Sequence, residues 1–570
     1  MSRPIVTTAL GTDSLLFHAM TGSEELGRLS EFRVQLLSKT GDISPAALLG
    51  EPLTVAIALV EGTRWFNGIV TRFTSTGWEG DYVSYEAVVH PWLWLLKRSS
   101  TCQIFQDLTV LEIVKQVCEK PIYAGVSLLS AELLSGVYPA LPYCVQYRET
   151  DFDFVCRLLE DAGIYFFFTH EADKHTLVLA DSYGAHQAIV GYESLKFAGS
   201  MHSNARDEES VSEWAVSGEI QSGSYALTDF DYEKASASNN GSLLSKAQIP
   251  SGFGGPDFEL FDYPGNYTSA ETGNALALAR MERTHGQSVV IKARSNAPGL
   301  YCAGLFTLSE HPREDQNLSY LITSAQYELY TNSYASGGQA SELVFDCSFS
   351  AIGKDHPFRP QCVIAKPVVQ GPQTAMVVGK SAEGGDGEEI WTDALGRIKV
   401  QFHWDRQGVS DDNSCCWVRV AQTWAGKGWG AIFIPRVGME VVVSFLEGNP
   451  DRPLVTGCVY NSDALPPYEL PTLNTQSGIK TRSSPKSEGF NELRFEDKAG
   501  AEEVFMHAEK DFNRVVKNDD TLTVTGDQKI TVEKTIVITA TTSIELVVGG
   551  STIKIEPSKI TILSALVEIN

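Results

Sequence analysis

The chain has 570 residues, a formal net charge of −26, and 43% hydrophobic against 20% charged residues. That is an ordinary globular composition, too long for a single core, so three or four domains are expected. The charge repels phosphate backbones and anionic lipid, and no Lys/Arg run offsets it, which argues against nucleic-acid binding.

The opening "MSRPIVTTALGTDSLLFHAM" lacks the unbroken apolar run of a signal peptide. No stretch approaches membrane-spanning length. "AIFIPRVGMEVVVSFLEG" is interrupted by Pro435, Arg436, Gly438 and Glu440 and reads as a strand pair. Folding in the cytoplasm is expected, with any export independent of a cleaved signal and without a membrane anchor. The ten cysteines are scattered with no C-x-x-C pair and read as buried, reduced thiols.

Residues 1–370 read as mainly β with a few helices. "EFRVQLLS" (31–38), "EPLTVAIAL" (51–59) and "YVSYEAVVH" (82–90) are predicted strands. "TVLEIVKQVCEK" opens with Thr109 and places Glu112 three residues on, a capping box, with Val110, Val114, Val117 and Cys118 on one helical face. "TDFDFVCRLLEDAG" repeats the logic: Thr150 caps, Phe154, Val155, Leu158 and Leu159 face inward, and Gly163 stops the helix. A third helix is expected over 274–285, ended by Gly286. Three prolines in "FRPQCVIAKPVVQGPQ" (358–373) mark a domain boundary. Residues 375–460 then hold about five strands joined by Gly/Asp/Asn turns, which suits a small barrel of the oligonucleotide/oligosaccharide-binding type. A Pro-rich linker (461–485) leads to the last segment, 486–570.

That segment alternates apolar and polar residues from Thr521 to Ile562, with an eight-residue step from Val524: "VTGDQKIT", "VEKTIVIT", "ATTSIELV", "VGGSTIKI". A fixed short period means a repetitive, quasi-linear structure. A lone meander of such strands buries only part of its apolar face and leaves two edges unpaired. Three chains wound together remove both defects. The expectation is a triple-stranded, intertwined β-prism whose core is Leu522, Val524, Ile530, Val532, Ile536, Ile538, Ile544, Leu546, Val548, Ile553, Ile555, Ile560 and Ile562. The alternative is an antiparallel meander packed on a monomeric core.

"YCVQYRETDFDFVCRLLEDAGIYFFF" (143–168), "DALGRIKVQFHWDR" (393–406), "WVRVAQTWAGKGWGAIFIPRVGMEVVVSFLEGNPDRPLVTGCVYN" (417–461) and "NELRFEDKAGAEEVFMHAEKD" (491–511) closely resemble the VgrG family, the spike proteins of type VI secretion systems, which are similar to the fused hub and spike of contractile phage tails. The resemblance runs in order over nearly the whole chain. It implies a homotrimer whose hub of two β-barrels with helical additions sits on a hexameric, Hcp-like tube at the baseplate. It also implies a prism that receives a PAAR-type tip protein at the end marked here by "VEIN", effectors carried with or without an adaptor chaperone, and puncture of target envelopes on sheath contraction. The chain ends within the prism pattern, so no C-terminal enzymatic domain is expected. A phage or bacteriocin tail spike is a second reading, and a trimeric β-helical glycan-degrading enzyme a third. The third needs paired carboxylates over a groove, whereas Glu533, Glu545, Glu556 and Glu568 are scattered singly among Thr and Lys.

Other candidate sites do not meet their chemistry, and no catalytic, cofactor or metal residues are expected. "HEADKH" nearly spells the H-E-x-x-H zinc motif, but His170 and His175 are five apart and flanked by strand-like runs, so a strand–turn–strand is expected. "GKS" (379–381) has Thr374 where a phosphate loop needs glycine. "GGDGEE" (384–389) reads as a solvated turn. Trp391, Trp404, Trp417, Trp424 and Trp429 could stack on bases or sugars, as aromatics do in other such barrels. The net charge, together with the resemblance to a trimeric spike, favours core and inter-subunit packing instead.

Overall fold

The computed structural model describes residues 3–199, 208–235, 242–249, 258–331, 343–354, 356–380, 389–485 and 487–569. The chain divides into two compact units, Met1–Thr472 with Ser484–Lys486, and Leu473–Ser483 with Ser487–Asn570.

In the first unit the strands expected over 31–38 and 82–90 are present at Glu31–Ser38 and Tyr82–His90, and the one between them at Pro52–Ala58. Their alternating burial places Phe32, Val34, Leu36, Val83, Tyr85 and Ala87 in one core. The two expected barrel sets share a single twelve-stranded sheet. The join is antiparallel pairing of Leu16–Glu25 with Ser319–Thr331, from Glu25↔Ser324 to Ala19↔Tyr330. One hydrophobic core runs beneath both sets, from Val6 to Ala351.

Helix α1 (Val110–Cys118) has the full capping box of Thr109 and Glu112, and α2 (Asp151–Ala162) is capped by Thr150 and stopped by Gly163 at φ 73°. Their apolar faces fill a second core, beside the hairpin Tyr165–His170/His175–Ala180. Helix α3 (Ala270–His285) starts four residues before the expected 274, because Ser269 caps it by accepting the Thr272 N–H at 3.2 Å. It covers one face of a three-stranded sheet formed by Ser224–Phe230, Ser242–Gln248 and Glu259–Asp262.

The Pro-rich stretch 358–373 has no regular structure up to Gly371, as expected of a boundary, but it is tied down along its length. Arg28 donates to the Gln361 carbonyl (2.9 Å), and the Val363 and Ile364 N–H groups donate to Glu160 (3.0 and 3.2 Å). The barrel that follows orders its strands Lys399–Phe402, Gln373–Val378, Glu440–Phe445, Pro453–Val459 and Arg419–Val420. Reciprocal backbone bonds between Ile398 and Val418 (2.9 and 2.8 Å) close it. Its core borrows Tyr143 and Val145 from the hub.

The ten cysteines are all unpaired thiols. Six are buried, but Cys362 and Cys458 are exposed, so the expectation of uniformly buried thiols is corrected. Among the described residues no helix is long and apolar enough to cross a membrane.

Candidate functional site: self-association faces and the joint behind them

His170 and His175 end and begin paired strands and oppose each other across the hairpin, the strand–turn–strand expected. His175 Nε2 accepts the Trp92 N–H and its Nδ1 lies 2.7 Å from Asn67 Oδ1. Burial lowers its pKa to about 3, so the ring stays neutral. His170 lies 3.4 Å from Glu24, whose carboxylate also takes the Tyr327 hydroxyl and faces Arg64 at 3.6 Å. Arg64 packs against the Phe66 and Tyr327 rings at 4.3 and 4.5 Å, and those rings meet edge to face at 5.6 Å. Burial opposes ionisation of Glu24, yet His170, Arg64 and Tyr327 together hold its pKa below the ordinary value. The cluster is an internal brace between the two halves of the hub. Thr374 lies on the strand Gln373–Val378, bonded to His403 at 3.1 Å. Ser381 and residues 384–388 of the acidic turn lie outside the described residues.

The "DALGR" motif builds a joint. The Asp393 carboxylate accepts the Leu395 and Arg397 N–H groups (3.0 and 2.9 Å) and Arg397 Nε (2.6 Å) around a turn that Gly396 permits at φ 73°. Arg397 then donates to the Tyr232 hydroxyl (2.8 Å) and pairs with Glu233. Arg419 stacks over Tyr232 at 4.2 Å, and Arg452 faces Asp229 at 3.4 Å. Three barrel arginines thereby clamp the barrel to the α3-containing part of the hub.

Three barrel tryptophans serve internal packing. Trp404 stacks on Phe402 at 5.0 Å and donates to Gln373, and the rings of Trp391 and Trp417 lie 4.6 Å apart beside Lys399. Trp424 and Trp429 instead face outward.

Among its described residues the second unit holds two three-stranded antiparallel sheets. In the last, Ile544–Val548, Ser551–Glu556 and Lys559–Leu563, the register Ile544↔Ile555↔Ile560 and Leu546↔Ile553↔Ile562 places six expected core residues on one face, with Val548 beside them. Glu545, Lys554, Glu556 and Lys559 lie on the opposite face, where Glu556 pairs with both lysines at 3.5 Å. "VGGSTIKI" is therefore a hairpin turned at Gly549–Gly550, and the expected eight-residue step stops there. The other six residues, Leu522, Val524, Ile530, Val532, Ile536 and Ile538, lie in Thr521–Thr542, which forms no ladder within its own chain. The physical reason is local: a strand with no neighbour has nothing to accept or donate its ladder bonds. Among the described residues, twelve of the thirteen are 41–80% exposed and Ile544 is half-buried.

The first sheet, Gln476–Lys480, Glu492–Glu496 and Glu503–His507, was not among the expected core residues. Its register puts Ile479, Leu493, Phe495, Val504 and Met506 on one face. On the other face Arg494 bonds Glu503 (3.1 Å) and lies over Phe505, and Lys480 lies over Phe490. The period-2 alternation in "ELRFE" and "EVFMH" is the signal that finds it.

Residues 23–333 match the family described as phage tail baseplate hub (GPD), 389–460 the type VI secretion system/phage-baseplate injector OB domain, and 477–562 the bacteriophage T4 gp5 C-terminal trimerisation domain. Hub sheet, closed barrel and trimerisation strands in one chain define a fused hub and spike of the contractile-tail class. The trimerisation match supports a homotrimer. Among curated relatives, VgrG1b of Pseudomonas aeruginosa is 43% identical over 531 residues, 93% of this chain and 70% of the relative. VgrG1a of the same organism is 42% identical over 524 residues, 91% and 79% of the two chains. The chain belongs to the VgrG family of type VI secretion system spike proteins. The fold is shared with the E. coli c3393 protein, a type VI secretion component with structural similarity to T4 tail proteins gp27 and gp5 (TM-score 0.55, 21% identity, 80% of this chain and 99% of that one). It is also shared with a Francisella PdpA–VgrG complex in its lidless form (TM-score 0.57, 9% identity, 98% and 97%).

Proposed function

We propose that three copies assemble into a non-catalytic, force-transmitting spike with the hub over 1–370, the barrel over 375–460, a linker over 461–485 and an intertwined needle over 486–570. The observation that supports this is the pair of one-sided apolar sheets in the second unit. Five large apolar side chains on one face and seven on the other have no core of their own chain to enter, and a three-fold axis gives each face two partners. The thirteen aliphatics from Leu522 to Ile562 form the needle core, and Ile479, Leu493, Phe495, Val504 and Met506 extend it with a second apolar face. Lateral backbone bonding between chains makes such a needle stiff along its axis, and the Arg397–Tyr232 joint ties barrel to hub under load.

In this reading the hub, with six barrel-like units per trimer, sits on a hexameric Hcp-like tube at the baseplate, and the needle end receives a PAAR-type tip. Sheath contraction drives the spike through the target envelope. An effector rides on it, with or without an adaptor chaperone. A Francisella VgrG solved in complex with PdpA supports a protein cargo or partner. The spike is assembled in the cytoplasm and exported without a cleaved signal. Solution mass by light scattering tests the core of the proposal. One chain is 62.3 kDa, so the trimer is 3 × 62.3, about 187 kDa, at every concentration. A folded monomer at 62.3 kDa would remove the needle and the puncturing role with it.

A further inference from the structure

The paired strands Ser100–Phe105 and Cys144–Thr150 lose register at one point. Thr101 opposes Glu149, Cys102 opposes Tyr147, and Arg148 has no partner in the ladder. Arg148 is thus the extra residue of a β-bulge, and its φ is 52°. The left-handed region is costly for a residue with a Cβ, and a bulge that only bent the strand would carry glycine there with less strain. Such outliers collect where a side chain must be aimed at a target.

The residues on both sides of Arg148 are held firmly. Arg157 donates to the Glu149 carboxylate through Nε and Nη2, each at 2.8 Å, and to the Val145 carbonyl at 2.9 Å. The Gln146 side-chain amide donates to the Glu149 carbonyl (3.3 Å) and to Asp151 (2.8 Å). Arg148 itself is left exposed, lining an open cleft of about 620 Å³. The other polar groups there are committed. Asp153 accepts the Thr150 hydroxyl at 2.7 Å, and the Tyr147 hydroxyl accepts from Gln373 at 2.7 Å. The boundary stretch Val363–Pro367 supplies an apolar wall on which Val363 is 63% exposed, and its Lys366 is paired with Asp161 at 2.8 Å. Among the described residues, the Arg148 guanidinium is the one charged group of the cleft without an ion pair or side-chain hydrogen bond.

We propose that this cleft binds a carboxylate presented by a protein partner. The planar guanidinium takes both carboxylate oxygens, and the apolar residue beside the carboxylate lies along Val363, Ala365 and Pro367. A single carboxylate suits the site better than a phosphate, because Glu149 and Asp153 line the same cleft and oppose a second negative charge. The net charge of −26 opposes a polyanion in the same direction. The carboxylate has two sources of one chemistry, a chain's C-terminus or an Asp or Glu side chain. Every residue of the cleft lies in the first compact unit of a single chain, so the site does not depend on the needle.

The test is fluorescence anisotropy on the full-length protein with fluorescein-labelled apolar peptides. One probe ends in Leu-Val with a free C-terminal carboxylate, a second is amidated and carries Glu beside Val, and a third is amidated with Gln in place of that Glu. At least one carboxylate probe should bind saturably, about ten-fold or more tighter than the neutral one. The one that binds names the source. Arg148→Gly suits the positive φ, so it should lose that preference while the unfolding midpoint holds or rises. Arg148→Lys, which keeps the charge without the fork, should fall between. Failure of both carboxylate probes to bind, equal binding of the neutral probe, or unchanged binding by Arg148→Gly would each overturn the proposal. Inorganic phosphate displacing the probe better than acetate would overturn it in favour of a phosphate site.

Discussion

Asp451 sits where the barrel meets the hub, its carboxylate accepting the Val145 N–H at 2.7 Å. Burial raises its pKa from the ordinary 3.8 to about 6, against the pull of Arg157 and the Val145 hydrogen bond. A carboxyl with a raised folded pKa keeps its proton longer in the native state than in the unfolded chain. Its contribution is therefore fully present below pH 3.8 and is lost as pH climbs through about 6. Asp451→Asn retains the acceptor oxygen and cannot ionise. It should match the wild type near pH 4 and exceed it at pH 7 by on the order of 3 kcal/mol. Paired thermal melts at the two pH values measure this, and parallel pH dependence of the two proteins would remove Asp451 from the account. The sequence offers Asp451 only as a turn residue in "GNPDRP". Its titration depends on Val145 and Arg157, some three hundred residues away.

Helix α2 shows what a local signal can and cannot fix. Thr150 accepts the Asp153 N–H at 3.0 Å, and Gly163 ends the helix in the left-handed region, as the sequence indicates. Thr150→Ala should cost about 1 kcal/mol, the usual value of a lost N-cap. A drop in the unfolding midpoint, with Thr150→Ser near wild type, checks it. Caps and periods were legible because every partner lies within four residues. At α3 the cap Ser269 lies outside the apolar pattern, so the pattern starts the helix four residues late. The single hub sheet was not legible, because its join pairs Leu16–Glu25 with a strand three hundred residues on. The borrowing of Tyr143 by the barrel core is long-range in the same way. In the needle, alternation identified the aliphatic face from Ile544 to Ile562. It gave no sign that Gly549–Gly550 folds that face back on itself, since a continuing step and a hairpin share the same period.

For the whole molecule, three-fold repetition changes what one substitution does. In a trimer, every needle residue occurs three times at one level of the axis. Ile555 lies opposite Ile544 and Ile560 on the apolar face, and Lys554 lies on the face where Glu556 pairs with lysine. Ile555→Asp would bring three carboxylates together in a dry core, and each buried polar group left without a partner costs roughly 1–3 kcal/mol or more. The sum rivals the 5–15 kcal/mol of a typical folding free energy, so the needle should fail to close. Lys554→Ala, one residue along, should leave it intact. Light scattering separates the cases: 62.3 kDa chains, or a mass that falls on dilution, for Ile555→Asp, and a stable trimer for Lys554→Ala. Equal loss of the trimer with Ile555→Asp and with Lys554→Ala would mean that the apolar face does not define the axis. The needle would then have to be held by its edges alone.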